Sequence, residues 1–168
     1  ALEDDEAMAV LCAEAKIPVV LMHKRGIPRN MQDKTSYGDV VREVSEYLSS
    51  RAQVAGQAGI AENKIIIDPG IGFGKDFAAN VALIRGCGSL CGGRYPVLMA
   101  LSRKTCIGDM TGRAVEGRLA GTLSAGLLSV LYGATLLRVH DVTETVDSLR
   151  VLRALGDPLK EEVDDEQS

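Results

Sequence analysis

Lys64-Ile65-Ile66-Ile67-Asp68-Pro69-Gly70-Ile71-Gly72-Phe73-Gly74-Lys75 is the stretch on which the reading of this chain turns. Three consecutive isoleucines make a short β-type run, and it delivers the Asp68 carboxylate at its C-terminal tip. Pro69 has no N–H to donate and stops the ladder, while three glycines let the backbone turn tightly and approach a flat ligand. An acid at a strand end followed by a glycine turn is a ligand-site geometry of parallel α/β proteins. Two phosphate loops are excluded by spacing. A Walker A loop needs one more residue between Gly70 and Gly74 and a hydroxyl where Asp76 stands. A dinucleotide fingerprint is also one residue short. A glycine-rich βα turn without a ligand stays open at this point.

Outward from this loop the same alternation repeats. Residues 17–22 (IPVVLM), 64–68 (KIIID), 96–102 (PVLMALS) and 135–140 (TLLRVH) are short apolar runs. Such runs are expected of parallel strands buried on both faces. Helical patterns lie between them. Residues 39–58 carry Val40, Val41, Val44, Leu48 and Val54 at helix-like spacing, with Glu43, Glu46 and Arg51 interspersed. Residues 2–15, 113–131 and 143–155 read the same way, with Thr143 as an N-cap, and residues 76–85 form a shorter helix. The strand starts are spaced by roughly 30 to 47 positions, which suits right-handed βα units. The expectation is an α/β fold of about four parallel βα units, either a small open sheet or half of a (β/α)8 barrel. A whole barrel takes about 250 residues. Residues 1–157 would form this unit and residues 158–168 a flexible acidic tail. The chain opens at Ala1, inside a helix-like stretch, and reads as the later part of a longer product.

Composition narrows the classes. With 168 residues, 46% hydrophobic, the chain can bury one sizeable core. A formal net charge of -4 argues against a general nucleic-acid or membrane-surface role. No run approaches the ~18 apolar residues of a membrane span, and no signal peptide opens the sequence. Cys87 and Cys91 have a C-x-x-x-C spacing, but no second pair or nearby histidine completes a zinc site, so the cysteines read as reduced thiols.

Every strand-like run ends in polar chemistry. The first is followed by Met22-His23-Lys24-Arg25-Gly26-Ile27-Pro28 and then Met31-Gln32, the third by Ser102-Arg103-Lys104, and the fourth by Arg138-Val139-His140-Asp141. If the strands persist, their period of two puts Ser102 and Lys104 on one face, and likewise Arg138 and His140. Cations at two successive strand ends make a compact anion site. Arg138 offers a fork to phosphate oxygens and Lys104 a mobile point charge. Asp68 can accept two N–H donors from an amino-pyrimidine edge. The sum is a phosphate-bearing heterocycle held by one acid and several cations. Duller roles compete: Arg138 and His140 as partners of Asp141, His23 as a loop cap, Lys24 and Arg25 as solvated charges, Phe73 and Phe77 as core.

These four motifs, collinear and compatibly spaced over residues 7–155, resemble those of the dihydropteroate synthase family, pterin-binding barrel enzymes of folate synthesis. The resemblance implies strands five to eight of that barrel. It implies condensation of 7,8-dihydropterin-methyl pyrophosphate with 4-aminobenzoate, releasing pyrophosphate with magnesium present. By position, Asp68 would bind the amino-pyrimidine edge, Lys104 the pterin ring, Arg138 the pterin flank and pyrophosphate, and His140 the pyrophosphate. Lys104, Arg138 and His140 would thus be the catalytic set. Phe73 and Ser102 would line the aminobenzoate pocket with Arg103 nearby, and Met22 and Gly72 would join the substrate-binding residues. The implied setting is cytoplasmic, or mitochondrial in a eukaryote. A homodimer, and fusion to a pyrophosphokinase domain, are implied for the full-length protein.

Departures qualify the likeness. The family's magnesium ligand, further pterin residues and two mobile loops belong to the first four strands, which this sequence does not contain. The chain is therefore expected to be inactive alone, with unpaired strand edges at residues 17–22 and 135–140 that invite a partner. Ala100 stands where the family usually has Gly, Thr105-Cys106 replaces Ser-Phe, and residues 87–94 read as a glycine-rich linker. Two alternatives are a folate-dependent methyltransferase barrel and a non-catalytic interaction fragment.

Overall fold

Val19–Met22 (β1) and Ile65–Asp68 (β2) are rich in branched side chains that pack well on a pleated surface. They pair in parallel, Val19 opposite Ile65 through Met22 opposite Asp68, so both deliver polar chemistry at the same end. The computed structural model describes residues 1–3, 5, 7–26 and 35–156. Pro28, Met31 and Gln32 of the first motif, and the acidic tail, lie outside the described residues. Leu98–Met99 (β3) and Leu136–Leu137 (β4) form a second parallel pair. A bridge from Ile67 to Val97, with the Ile67 N–H donating to Pro96 O at 2.9 Å, joins the two pairs. The strands therefore lie side by side in chain order.

The last two strands are much shorter than the apolar runs at 96–102 and 135–140. The Thr135 hydroxyl takes the Val97 N–H at 2.7 Å, a bond that a strand partner would otherwise accept. Beyond Met99 the chain turns, with the Lys104 N–H donating to Leu101 O at 3.0 Å. Strand alternation therefore does not place Ser102 with Lys104, nor Arg138 with His140.

Helices alternate with these strands: Ala7–Ala15 (α1), Val40–Gln57 (α2), Phe77–Arg85 (α3), Thr105–Thr111 (α4), Leu119–Leu131 (α5) and Val142–Leu155 (α6). Asp39 caps α2 and Asp76 caps α3, each carboxylate accepting a backbone N–H of the first turn, from Arg42 at 3.0 Å and Ala79 at 2.8 Å. Three expectations change. Thr143 lies inside α6, and the cap position belongs to Asp141, whose carboxylate is drawn to Arg103 instead. Residues 113–131 divide into a 3-10 turn, Val115–Gly117, and α5. Residues 87–93 form 3-10 turns with Leu90 fully buried, packed on α2 rather than acting as a linker.

Along α2 the buried stripe is Val40, Val44, Leu48, Ala52 and Ala55, packed on β1 and β2, while Val54 faces outward. Leu21, Leu48 and Leu83 are 1% exposed or less, and each such side chain contributes about 1.5–3 kcal/mol by leaving water. Only one face of the strands is fully covered. Val19, Leu21, Ile65 and Ile67 are buried, but the alternating Val20 and Leu136 are 47% and 37% exposed. Burial of every strand on both faces is therefore not observed. The helices cover one side and leave the other half-open. Among the described residues no helix is long and apolar enough to cross a membrane, and all four cysteines are free thiols.

Candidate functional site

The strand ends converge on Asp68. It is 2% exposed, and its Oδ1 accepts the Gly70 N–H at 2.7 Å, closing a tight turn straight after Pro69. Burial raises its pKa above the ordinary carboxylate range, opposed by that N–H and by the positive charges of Lys104, Arg138 and Lys75. Gly70 is required here. Its φ is +68°, and a Cβ would stand 1.9 Å from the His23 carbonyl oxygen and 3.4 Å from Met22 Cγ. Met22 thus lies beside the turn, half-buried at the end of β1.

From Gly70 to Lys75 the loop's polar groups are taken up by side chains from around the site. Asn80, on α3, accepts the Gly72 N–H at 2.8 Å, and the Tyr37 hydroxyl donates to Gly74 O at 2.9 Å. Lys104 donates to Ile71 O at 2.6 Å, and its ammonium lies 4.7 Å from the centroid of the Phe73 ring. Burial lowers the Lys104 pKa, partly offset by Asp68. Lys75 points inward and is 3% exposed. Its Nζ meets His23 Nδ1 at 2.9 Å and the carbonyls of Gly70 and Phe73 at 3.0 Å.

Behind this loop the turn after β3 is held in an unusual shape. Arg103 has φ +58°, its N–H donates to the Thr122 hydroxyl at 3.0 Å, and its carbonyl accepts from Arg118 at 2.9 Å. Its guanidinium forms a bidentate pair with Asp141. That pair lowers the Asp141 pKa and raises that of Arg103. Ser102 is buried, and its hydroxyl meets both the His140 N–H at 3.2 Å and His140 Nδ1 at 2.9 Å. Between the glycine loop and this turn lies a cleft of about 490 Å³ whose walls include Phe73, Phe77, Asn80, Lys104, Thr105 and Cys106.

The structure thus brings Asp68, Gly72, Phe73 and Lys104 together, with Arg138 close enough to act on both Asp68 and Lys104. Arg138 is exposed just past β4, its N–H bonded to Met99 O at 3.0 Å. Asp141 pairs with Arg103, not with Arg138 or His140. Arg25 is not a solvated charge: it bonds Glu43 at 2.9 Å and lies 3.8 Å over the Tyr37 ring. Phe77 is 47% exposed rather than core. Sequence reasoning missed Lys75, Asn80 and Tyr37. Asn80 had a signal, as an amide within the otherwise apolar residues 77–84, and Lys75 had one in closing the glycine loop; Tyr37 had none.

Residues 1–140 match the model of the family described as pterin binding enzyme. The chain belongs to the pterin-binding enzymes. Dihydropteroate synthase from Neisseria meningitidis serogroup B is 44% identical over 160 residues, 93% of this chain and 56% of its own length. Dihydropteroate synthase from Xanthomonas albilineans in complex with 7,8-dihydropteroate superposes with a TM-score of 0.82 at 44% identity, covering 90% of this chain and 55% of that one. Dihydropteroate synthase from Thermus thermophilus in complex with 4-aminobenzoate gives 0.85 at 38% identity, covering 90% and 62%. This pterin-binding chain spans about half the length of those relatives.

Magnesium does not fit the donor set present. It seeks several hard oxygen ligands in octahedral array. Here Asp68 offers a single carboxylate, already bonded to Gly70 and ringed by Lys75, Lys104 and Arg138. Among the described residues no three His, Cys, Asp or Glu side chains cluster around a point.

Proposed function

We propose that this chain is the second half of a dihydropteroate synthase barrel, strands five to eight, spanning residues 1–157. It would condense 7,8-dihydropterin-methyl pyrophosphate with 4-aminobenzoate once the first half is supplied. The observation that carries this reading is the buried Asp68 carboxylate beside Lys104, which itself lies over Phe73 at the cleft mouth. A buried acceptor suits the N–H donors of an amino-pyrimidine edge, and a cation over an aromatic wall suits a flat ring with a carboxylate-bearing neighbour. The half-open strand face, with Val20 and Leu136 exposed, supports a barrel interior completed by further strands.

In this reading the C–O bond between the pterin methylene and pyrophosphate breaks with its electron pair leaving on oxygen. Positive charge then rests on the methylene, and the aminobenzoate nitrogen attacks it and loses a proton to solvent. Arg138 and His140 stabilise the departing anion, Lys104 holds the pterin, and the cleft walled by Phe73 orients the amine. Magnesium would be held by donors of the barrel's first half. In this reading the full-length protein would be a homodimer, cytoplasmic, or mitochondrial in a eukaryote. The methyltransferase and non-catalytic alternatives draw no support, since the matched relatives named above are dihydropteroate synthases.

The test joins this chain to its upstream half, by co-expression or fusion, and measures pyrophosphate release. Release should require both substrates, be absent from the chain alone, and fall by ~10²–10³-fold in Lys104→Ala. Release independent of 4-aminobenzoate, or unaffected by Lys104→Ala, would sink the proposal.

A further inference from the structure

We infer that Lys75 is the positioning residue of this site: its ammonium ties the Gly70 and Phe73 carbonyls to the His23 ring, and so sets where Phe73 and Asp68 stand. An ammonium has three N–H donors and no acceptor. Around Lys75 Nζ there are three acceptors, His23 Nδ1 at 2.9 Å and the two carbonyls at 3.0 Å. While Lys75 is an ammonium it can only donate, so in that state Nδ1 is the acceptor and His23 is neutral with its proton on Nε2.

The clamp spans two strand ends. Gly70 and Phe73 follow β2, whereas His23 follows β1. The His23 N–H donates to Asp68 O at 3.0 Å, so Asp68 lies inside the same frame. His23 is held in turn by Tyr47, edge-on at 5.0 Å between centroids, and by Tyr37 at 6.3 Å. Burying a lysine with no carboxylate among its hydrogen-bond partners is costly unless all its donors are used. Here they are. Loss of Lys75 would leave the Phe73 carbonyl and the ring nitrogen without this donor, while Gly70 O keeps the Phe73 N–H at 3.1 Å, and would untie the Phe73 end of the turn from the His23 ring. Charged groups near the ammonium are Asp68, Lys104 and Arg25; Glu43 acts on His23, and Asp76 follows Lys75 in the chain. Burial first, then Lys104 and Arg25, lower the Lys75 pKa to about 7 against the pull of Asp68.

This inference rests on reading the Phe73 cleft as the aromatic amine's place, but its test uses no substrate. The sequence holds two phenylalanines, so 3-fluorophenylalanine reports Phe73 and Phe77 alone. Labelled lysine gives a signal for each of the seven lysines, and that of Lys75 is assigned as the one missing from Lys75→Arg. In the unaltered chain the Phe73 fluorine signal should titrate with the midpoint of the Lys75 nitrogen signal, and exposed Phe77 should not follow. In Lys75→Met the Phe73 signal should move to its unfolded-chain position and lose that titration, with Phe77 and the circular dichroism unchanged. A Phe73 signal unmoved by Lys75→Met, or flat across the Lys75 titration, overturns the inference. If Lys75→Met does not fold, the unaltered chain decides alone, by whether the two midpoints coincide. Failure of the joined protein to bind a pterin would strike the proposed function and leave this result intact.

Discussion

Replacing Gly70 by alanine tests how closely the ends of β1 and β2 meet, and Gly92 supplies the control. Gly70 has φ +68° and Gly92 φ +65°, so both demand the left-handed backbone. That conformation costs an ordinary residue about 1–2 kcal/mol at either place. The two differ in space. A Cβ on Gly92 meets nothing within 4 Å, whereas one on Gly70 falls 1.9 Å from the His23 carbonyl oxygen, where ordinary contact begins near 3.4 Å. The carbonyl belongs to a backbone already tied to Asp68 and cannot swing aside as a flexible side chain would. Overpacking of this kind adds about 1–3 kcal/mol. Gly92→Ala should therefore cost about 1–2 kcal/mol and Gly70→Ala about 2–5 kcal/mol. Urea unfolding followed by circular dichroism reads the difference. With a slope of about 2 kcal/mol per molar, the extra cost lowers the Gly70→Ala midpoint by roughly 0.5–1.5 M below that of Gly92→Ala. Equal midpoints would refute the close approach, because the shared φ would then account for the whole effect.

Two further variants probe buried charge. Burial raises the Asp68 pKa, so the folded state holds the proton more tightly than the unfolded chain; stability without ligand should fall as pH rises from the ordinary carboxylate range through the folded pKa. Asp68→Asn keeps an oxygen for the Gly70 N–H and should unfold at no lower urea concentration than the parent at pH 7, while losing pterin binding by calorimetry. A variant less stable at pH 7, or one that still binds pterin, contradicts this. His23 is pushed down to about 3, chiefly by burial and then by the Lys75 charge. The unfolded chain protonates His23 near pH 6.5, so its contribution is complete above that pH and is lost as pH falls towards 3. His23→Gln, whose amide oxygen can accept from Lys75, should flatten the urea midpoint between pH 6.5 and 4; a slope equal to the parent's would count against a buried neutral ring.

Much of this arrangement was legible because it rests on local chemistry. The triple isoleucine at residues 65–67, Pro69 and the glycines that follow specify a strand end and a turn without help from distant residues. Asp39 and Asp76 announce their helices for the same reason. The rest depends on partners far away in the chain. Residues 96–102 are apolar enough for a seven-residue strand, yet the Thr135 hydroxyl takes a backbone donor and the Arg103 turn ends the run early. Lys75 looks like a solvated charge at the end of a glycine loop, and only the approach of His23 from β1 makes it a buried donor. Arg25 is similarly decided by Tyr37 and Glu43. Thr143 is a good capping residue by type, but Asp141 occupies the cap position and its carboxylate serves Arg103. In each case the local preference was real and a tertiary partner outweighed it.

The parallel strands lie side by side in the order in which they occur along the chain, Val19 pairing with Ile65 and Leu98 with Leu136. A growing polypeptide therefore offers each strand its neighbour after roughly forty more residues, with one or two helices already able to fold between them. Assembly can proceed vectorially, each new unit zipping onto the exposed ladder of the one before. The open edge left after every step is the template for the next.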